Sequence, residues 1–190
     1  MSTRARLSAI EVGTASGVST SVIAHGFDTL QSSNFSVDAF DILEYCYFDP
    51  TYKVGDATQE IVPHLLDRVC IHPGTNARDA SKRFYPKQVH LVFIDADHRD
   101  PAAAIDLLAL LPILAANAWV ILHDIVLDRI QKNDPQKPGA QDGPYRLYQA
   151  WTYQKVRPIH DNPRMSNIGA IQLPSDPIAV QELLINLIED

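Results

Sequence analysis

Residues 89–98 read VHLVFIDADH: apolar from Val89 to Ile94 apart from His90, then acids at Asp95 and Asp97 and a histidine at 98. A run this apolar has no polar face to leave in water, so it predicts a central strand of a parallel sheet buried on both sides. A second stretch, AWVILHDIV at 118–126, predicts another strand and also carries a histidine and an acid near its end. Strands of this kind need helices on both faces and long crossovers between them. The rest of the sequence supplies both, because short apolar runs alternate with longer helical patterns. With 190 residues, 46% of them hydrophobic, the chain suffices for one buried α/β core, and a single domain over 1–190 is expected.

The first strand is expected at LSAIEV, ending at Val12, and the helix after it at GVSTSVIAHGF, stopping near Gly26. A strand ending in DAFD leads to a polar, aromatic loop, ILEYCYFDPTYKVGDA, in which Pro50 and Gly55 are breakers. TQEIVPHLLD reads as a helix weakened by Pro63, RVCIH as a strand, and PGTNA as a turn. The next helix, PAAAIDLLALLPILAA, is expected to start with Asp100 as N-cap and Pro101 at its first position and to end where Asn117 takes a left-handed conformation. Residues 128–144 form a long polar loop rich in proline, expected to act as a mobile lid. YRLYQAWTYQ then reads as a helix, NIGAIQLP as a late strand, and 175–190 as a capped C-terminal helix.

Charge and cysteine content narrow the partners. A net charge of −7 disfavours nucleic acid, whose recognition draws on clustered Lys and Arg, and the short basic run Ser81–Arg83 reads as a solvated face. Cys46 and Cys70 have neither zinc-finger spacing nor the density of a secreted disulfide scaffold. No signal-peptide pattern follows Arg4 and Arg6, and no stretch approaches the length of a membrane span. A cytoplasmic protein without membrane contact is expected, with assembly into a homo-oligomer left open.

In a doubly wound sheet, ligands bind beyond the C-terminal strand ends, which directs attention to IEVGTASGVS at 10–19. Gly13 permits a turn closed to other residues, Gly17 permits close approach, and Ser19 is placed to cap the helix or donate to a ligand. Glu11 stands among apolar residues, a costly place for a carboxylate unless cationic or hydrogen-bond donors meet it, so a positively charged or hydroxyl-rich ligand is expected and a pyrophosphate is not. The G-x-G-x-x-G fingerprint is absent, because Ala15 and Ser16 stand between the two glycines, so a dinucleotide is disfavoured. Asp41, roughly 24 residues beyond Gly17, lies near the spacing at which a carboxylate binds ribose hydroxyls.

With these stretches in view, the sequence resembles the class I S-adenosylmethionine-dependent methyltransferases. IEVGTASGVS is similar to their first motif and DAFD to their ribose-binding second. FIDADH followed by LHDI is similar to strands four and five of a bacterial small-molecule O-methyltransferase branch related to the macrocin and caffeoyl-CoA enzymes. The resemblance implies a doubly wound, mainly parallel seven-stranded sheet with a reversed last strand, a Rossmann-like fold. It also implies S-adenosylmethionine as cofactor and methyl transfer to a hydroxyl of a small-molecule acceptor, such as a sugar or phenolic metabolite. By position, Glu11, Gly13, Thr14, Gly17 and Ser19 would surround the methionine part, Asp41 the ribose, and Thr75 and Asn76 the adenine.

Asp95, Asp97 and His98 end strand four, and His123 and Asp124 end strand five. Asp95 and Asp124 offer hard oxygen ligands to a divalent cation such as Mg2+, which would acidify an acceptor hydroxyl. His98 or His123 could instead act as general base. Metal-dependent relatives commonly follow the strand-five Asp with Asn or Asp, whereas this chain has Ile125, which withholds one expected ligand. The sequence also begins only a few residues before strand one, so the expectation is either that the 128–144 loop and a neighbouring subunit cover the substrate or that this is a minimal domain with an open site. Two other readings stand beside the methyltransferase: an NAD- or nucleotide-sugar-binding Rossmann enzyme, and a non-catalytic module that kept the fold.

Overall fold

The computed structural model describes residues 6–30, 34–84, 88–126, 142–158 and 167–189. Strand β1 (Leu7–Val12) is followed by α1 (Val18–Thr29) and β2 (Phe35–Asp41), then by a hairpin of β3 (Tyr45–Cys46) and β4 (Asp49–Lys53). Helix α2 (Asp56–Ile61), a 3-10 turn (Pro63–Arg68), β5 (Val69–Pro73), α3 (Ala77–Arg83) and β6 (Val89–Ile94) come next. Helix α4 (Ala102–Leu110), a second 3-10 turn (Leu111–Ile113), β7 (Leu114–Leu122), α5 (Gly143–Ala150), β8 (Lys155–Val156), β9 (Gly169–Gln172) and α6 (Pro177–Glu189) complete the described chain.

Seven strands form one sheet in the order β5-β2-β1-β6-β7-β9-β8. The first five are mutually parallel, and β9 runs antiparallel to both β7 and β8. The reversal is expected late in the chain and occurs there, although the reversed strand is inserted beside β7 and the short β8 takes the edge. Alternate residues of the central strands face opposite layers. Ala9 and Val37 pack with Ala24, Val62 and Leu65 on one face, while Ile10, Val92, Ile94, Val120 and Leu122 pack with α4, α5 and α6 on the other through Leu107, Trp151 and Leu184. The buried apolar runs of β6 and β7 therefore do what their composition demands.

Several expectations are corrected. Helix α1 continues past Gly26 to Thr29, because a helix interior tolerates an exposed glycine at a cost of only about 1 kcal/mol. The aromatic loop after β2 is the β3–β4 hairpin. Pro63 divides the single helix expected at 58–67 into α2 and a 3-10 turn, as its missing N–H requires. Asp100 does not cap α4: Pro101 holds the N-cap position, and the Asp100 carboxylate is taken by Arg146. That helix ends at Leu110, ahead of Pro112, and Leu114–Asn117 are already strand. Asn117 does take a left-handed φ of 60°, but within β7, where the pairing with β6 slips. Residues 128–141 of the expected lid lie outside the described residues, while Asp142–Pro144 are the cap and first turn of α5. Helix α3, unanticipated, is built on a capping box between Asn76 and Asp79.

Candidate active site

The C-terminal ends of β1, β2, β6 and β7 open onto one cavity of about 900 Å3. Its floor is the turn leaving β1. Gly13 has a φ of 92° and Gly17 one of 90°, both in the left-handed region. A Cβ on Gly13 would lie 2.1 Å from the Asp95 carbonyl oxygen, and one on Gly17 would lie 2.3 Å from Thr58 Oγ1. Only glycine lets β1 turn so tightly against β6 and α1 start against α2. The hairpin and α2 latch this turn from outside, with Gly55 N donating to the Ala15 carbonyl (2.9 Å) and Ala57 N to the Ser16 carbonyl (2.9 Å). Composition in the 42–57 segment gave no sign of that support.

Gly13, Thr14, Ser19, Asp41, Thr75, Asn76 and Asp95 all line the cavity; Glu11 and Gly17 stand behind its wall. Glu11 is fully buried, and the hydroxyl donors that such a carboxylate requires are the chain's own. Thr20 Oγ1 donates to its Oε2, Ser19 also contributes, and Oε1 has no partner among the described residues. Burial pushes the Glu11 pKa up to about 7 against these hydrogen bonds, with Asp95 and Asp41 adding repulsion. Ser19 therefore serves Glu11 rather than capping α1, whose N-cap is Gly17. Asp41 accepts from Ala15 N and Leu43 N, both at 2.9 Å, so one carboxylate orders the turns after β1 and β2 while facing the cavity. Thr14 lines the cavity and is 2% exposed, and its buried hydroxyl has no hydrogen-bond partner among the described residues.

At the other end, β6 and β7 bring together Asp95, His98, His123 and Asp124. One ligand atom from each lies within 4.8 Å of all the others. His98 Nε2 is 3.3 Å from Asp95 Oδ1 and 3.1 Å from Asp124 Oδ2, and His123 Nδ1 is 3.0 Å from Asp95 Oδ1 and 3.4 Å from Asp124 Oδ1. The two carboxylates raise the His123 pKa to about 10, Asp124 having the larger influence, while the histidines hold both carboxyls below the usual range despite burial. Asp124 has a strained φ of 58°. Asn167 fixes it by donating from Nδ2 to Asp124 Oδ1 while its own Oδ1 accepts from Val126 N (3.0 Å). Helix α5 fixes the opposite turn, where Gly143 N donates to the His98 carbonyl (2.9 Å) and Arg146 pairs with Asp100.

Asn167, which contacts Asp124, and Asp106, which lines the cavity, are candidate positions that sequence reasoning did not point to. Asp106 faces the cavity from α4, and burial together with Asp97 pushes its pKa up to about 6. A lone acid inside AAAIDLLAL was the available signal. Asp97 itself closes a local turn, accepting from Arg99 N (2.9 Å) and pairing with the Arg99 guanidinium.

The chemistry of the donor set fits a divalent cation. Two carboxylates and two imidazoles converge, and the buried His123 Nδ1 has no well-directed hydrogen bond. For such an ion His98 and His123 would stand in for the ligand that Ile125 withholds, and imidazole would shift the preference from Mg2+ toward a transition metal.

The family described as methyltransferase domain matches residues 10–125. No curated protein matches the chain. Among solved structures, the O-methyltransferase TomG from Streptomyces achromogenes, determined in complex with SAM, is similar at 16% identity and a TM-score of 0.60, over 89% of this chain and 73% of that one. An O-methyltransferase from Bacillus cereus in complex with SAH is 21% identical, with a TM-score of 0.56 over 87% of this chain and 73% of that one. The CurJ carbon methyltransferase is 12% identical, with a TM-score of 0.58 over 92% of this chain and 50% of that one. At these identities the likeness establishes the fold.

Proposed function

The chain belongs to the methyltransferase-domain family, and from that premise we propose that it transfers the methyl group of S-adenosylmethionine to a hydroxyl of a small molecule, such as a sugar or phenolic metabolite. One observation carries this reading: a single cavity has the glycine turn and Asp41 at one end and Asp95, His98 and Asp124 at the other, with His123, which does not line the cavity, against both carboxylates. Gly13, Thr14 and Ser19 would hold the methionine part, Asp41 the ribose hydroxyls, and Thr75 and Asn76 the adenine. Carboxylates on the cavity wall suit a cationic sulfonium ligand. The cofactor supplies an electrophilic methyl group; the chain has to position the acceptor and take its proton.

Asp95, Asp124, His98 and His123 would hold a divalent cation, which when bound lowers the pKa of an acceptor hydroxyl. Asn167 and α5 keep the four side chains converged, so that little reorganisation is needed when the acceptor arrives. The test is transfer of labelled methyl from S-adenosylmethionine to a panel of hydroxylated acceptors. Activity that is abolished by chelator and restored by Mn2+ supports the metal reading. Activity that survives chelation but is lost in His98→Ala assigns the proton to histidine instead. No transfer to any acceptor, with the cofactor bound, would mark a binding module.

A further inference from the structure

A second cluster of ligating side chains lies at the free edge of the sheet, one aromatic ring behind the cavity wall. Cys70 and His72 of β5 project from the same side of that edge strand, and Asp38 of β2 is in register with Cys70. His72 is held three ways. Its ring stacks on Phe40, a cavity residue, with centroids 4.5 Å apart, Nε2 lies 2.9 Å from Asp38 Oδ1, and Nδ1 lies 3.2 Å from Arg83 Nη1. A guanidinium can only donate, so Nδ1 is the bare acceptor and Nε2 carries the proton given to Asp38. A carboxylate on one ring nitrogen with the other lone pair presented outward is how a metal-ligating histidine is usually prepared.

The thiol completes the arrangement. Cys70 Sγ is 3.9 Å from Nδ1, close to the roughly 3.5 Å that separates a thiolate from an imidazole nitrogen on tetrahedral zinc. One ligand atom from each of Asp38, Cys70 and His72 lies within 4.8 Å of the other two. Arg83 shows that the outer side of the ring already accepts a positive charge.

We propose that Cys70 Sγ and His72 Nδ1 bind a thiophilic divalent cation of the Zn2+ type, with Asp38 as the carboxylate that orients the imidazole. Binding forms the metal–sulfur and metal–nitrogen bonds, releases the Cys70 thiol proton to solvent, and displaces the exposed Arg83 guanidinium. Cys70 is exposed, so water fills the remaining positions. Burial and the neighbouring Asp38 push the free thiol's pKa up, which argues against an unaided nucleophilic role.

Cobalt separates this site from the catalytic cluster, which contains no sulfur. Titrating Co2+ into the full chain should produce a near-ultraviolet thiolate-to-cobalt charge-transfer band that saturates at one ion per chain and is removed by Zn2+. The band should vanish in Cys70→Ser and persist in an Asp95→Asn/Asp124→Asn variant. Asp38→Asn should weaken Co2+ binding by about 10- to 100-fold. Absence of the band at millimolar Co2+, or its survival in Cys70→Ser, which would place it on Cys46, overturns the site. Unchanged affinity in Asp38→Asn overturns the orienting role.

Discussion

Glu11 is fully buried at the end of β1, with donors on only one of its carboxylate oxygens. Because burial raises its pKa from 4.5 to about 7, the fold favours the neutral form. The native state therefore binds the proton more tightly than the unfolded chain, and the associated stability is fully present below about pH 4.5 and lost as pH rises through about 7. The amount is on the order of 3 kcal/mol. Glu11→Gln, which stays neutral, should gain that much relative to the wild type between about pH 4 and pH 8, read as the difference in urea midpoints. A difference that does not change with pH would show that the Glu11 pKa is the same in the folded and unfolded chain. The sequence indicated that a carboxylate at this position needs cationic or hydrogen-bond donors and pointed to a ligand for them; that the chain's own Thr20 supplies one depends on how α1 packs, which spacing alone does not specify.

At the scale of elements, the glycines separate conformational need from tolerance. Gly13→Ala places a methyl group against the Asp95 carbonyl at a left-handed φ, and a loss of at least about 3 kcal/mol is expected. Gly26 is exposed within α1 and nothing lies within 4 Å of an added Cβ, so Gly26→Ala should stabilise by about 0.5–1 kcal/mol. Thermal melts of the two variants should move in opposite directions, and a destabilised Gly26→Ala would contradict the open environment of that position. Arg146 braces the turn that carries His98, through Asp100. Arg146→Ala should lower turnover about tenfold while leaving S-adenosylhomocysteine affinity unchanged, and equal losses in both would place Arg146 in ligand binding. Strands β1, β2, β6 and β7 were legible because their apolar runs admit no other burial, and the glycine turn was legible because few residues can make it. The β3–β4 hairpin was not, since its aromatic side chains are largely exposed and leave no alternation to read. Asn167 was not either, because it meets Asp124 only through the antiparallel insertion of β9 beside β7.

In the molecule as a whole, the parallel strands end on one side of the sheet and bring the candidate residues there: Asp41 at the end of β2, the glycine turn after β1, Asp95 and His98 after β6, and His123 and Asp124 after β7. Five carboxylates, Asp41, Asp95, Asp97, Asp106 and Asp124, face the same cavity. No described helix is long and apolar enough to cross a membrane. The most direct measurement is a calorimetric titration of S-adenosylhomocysteine into the wild type and Asp41→Ala. The expected result is one site per chain in the wild type, weakened in the variant by about 1.5–3 kcal/mol through loss of charge-assisted hydrogen bonds. No binding by the wild type, or equal affinity in the two proteins, would contradict a cofactor seated between the glycine turn and Asp41.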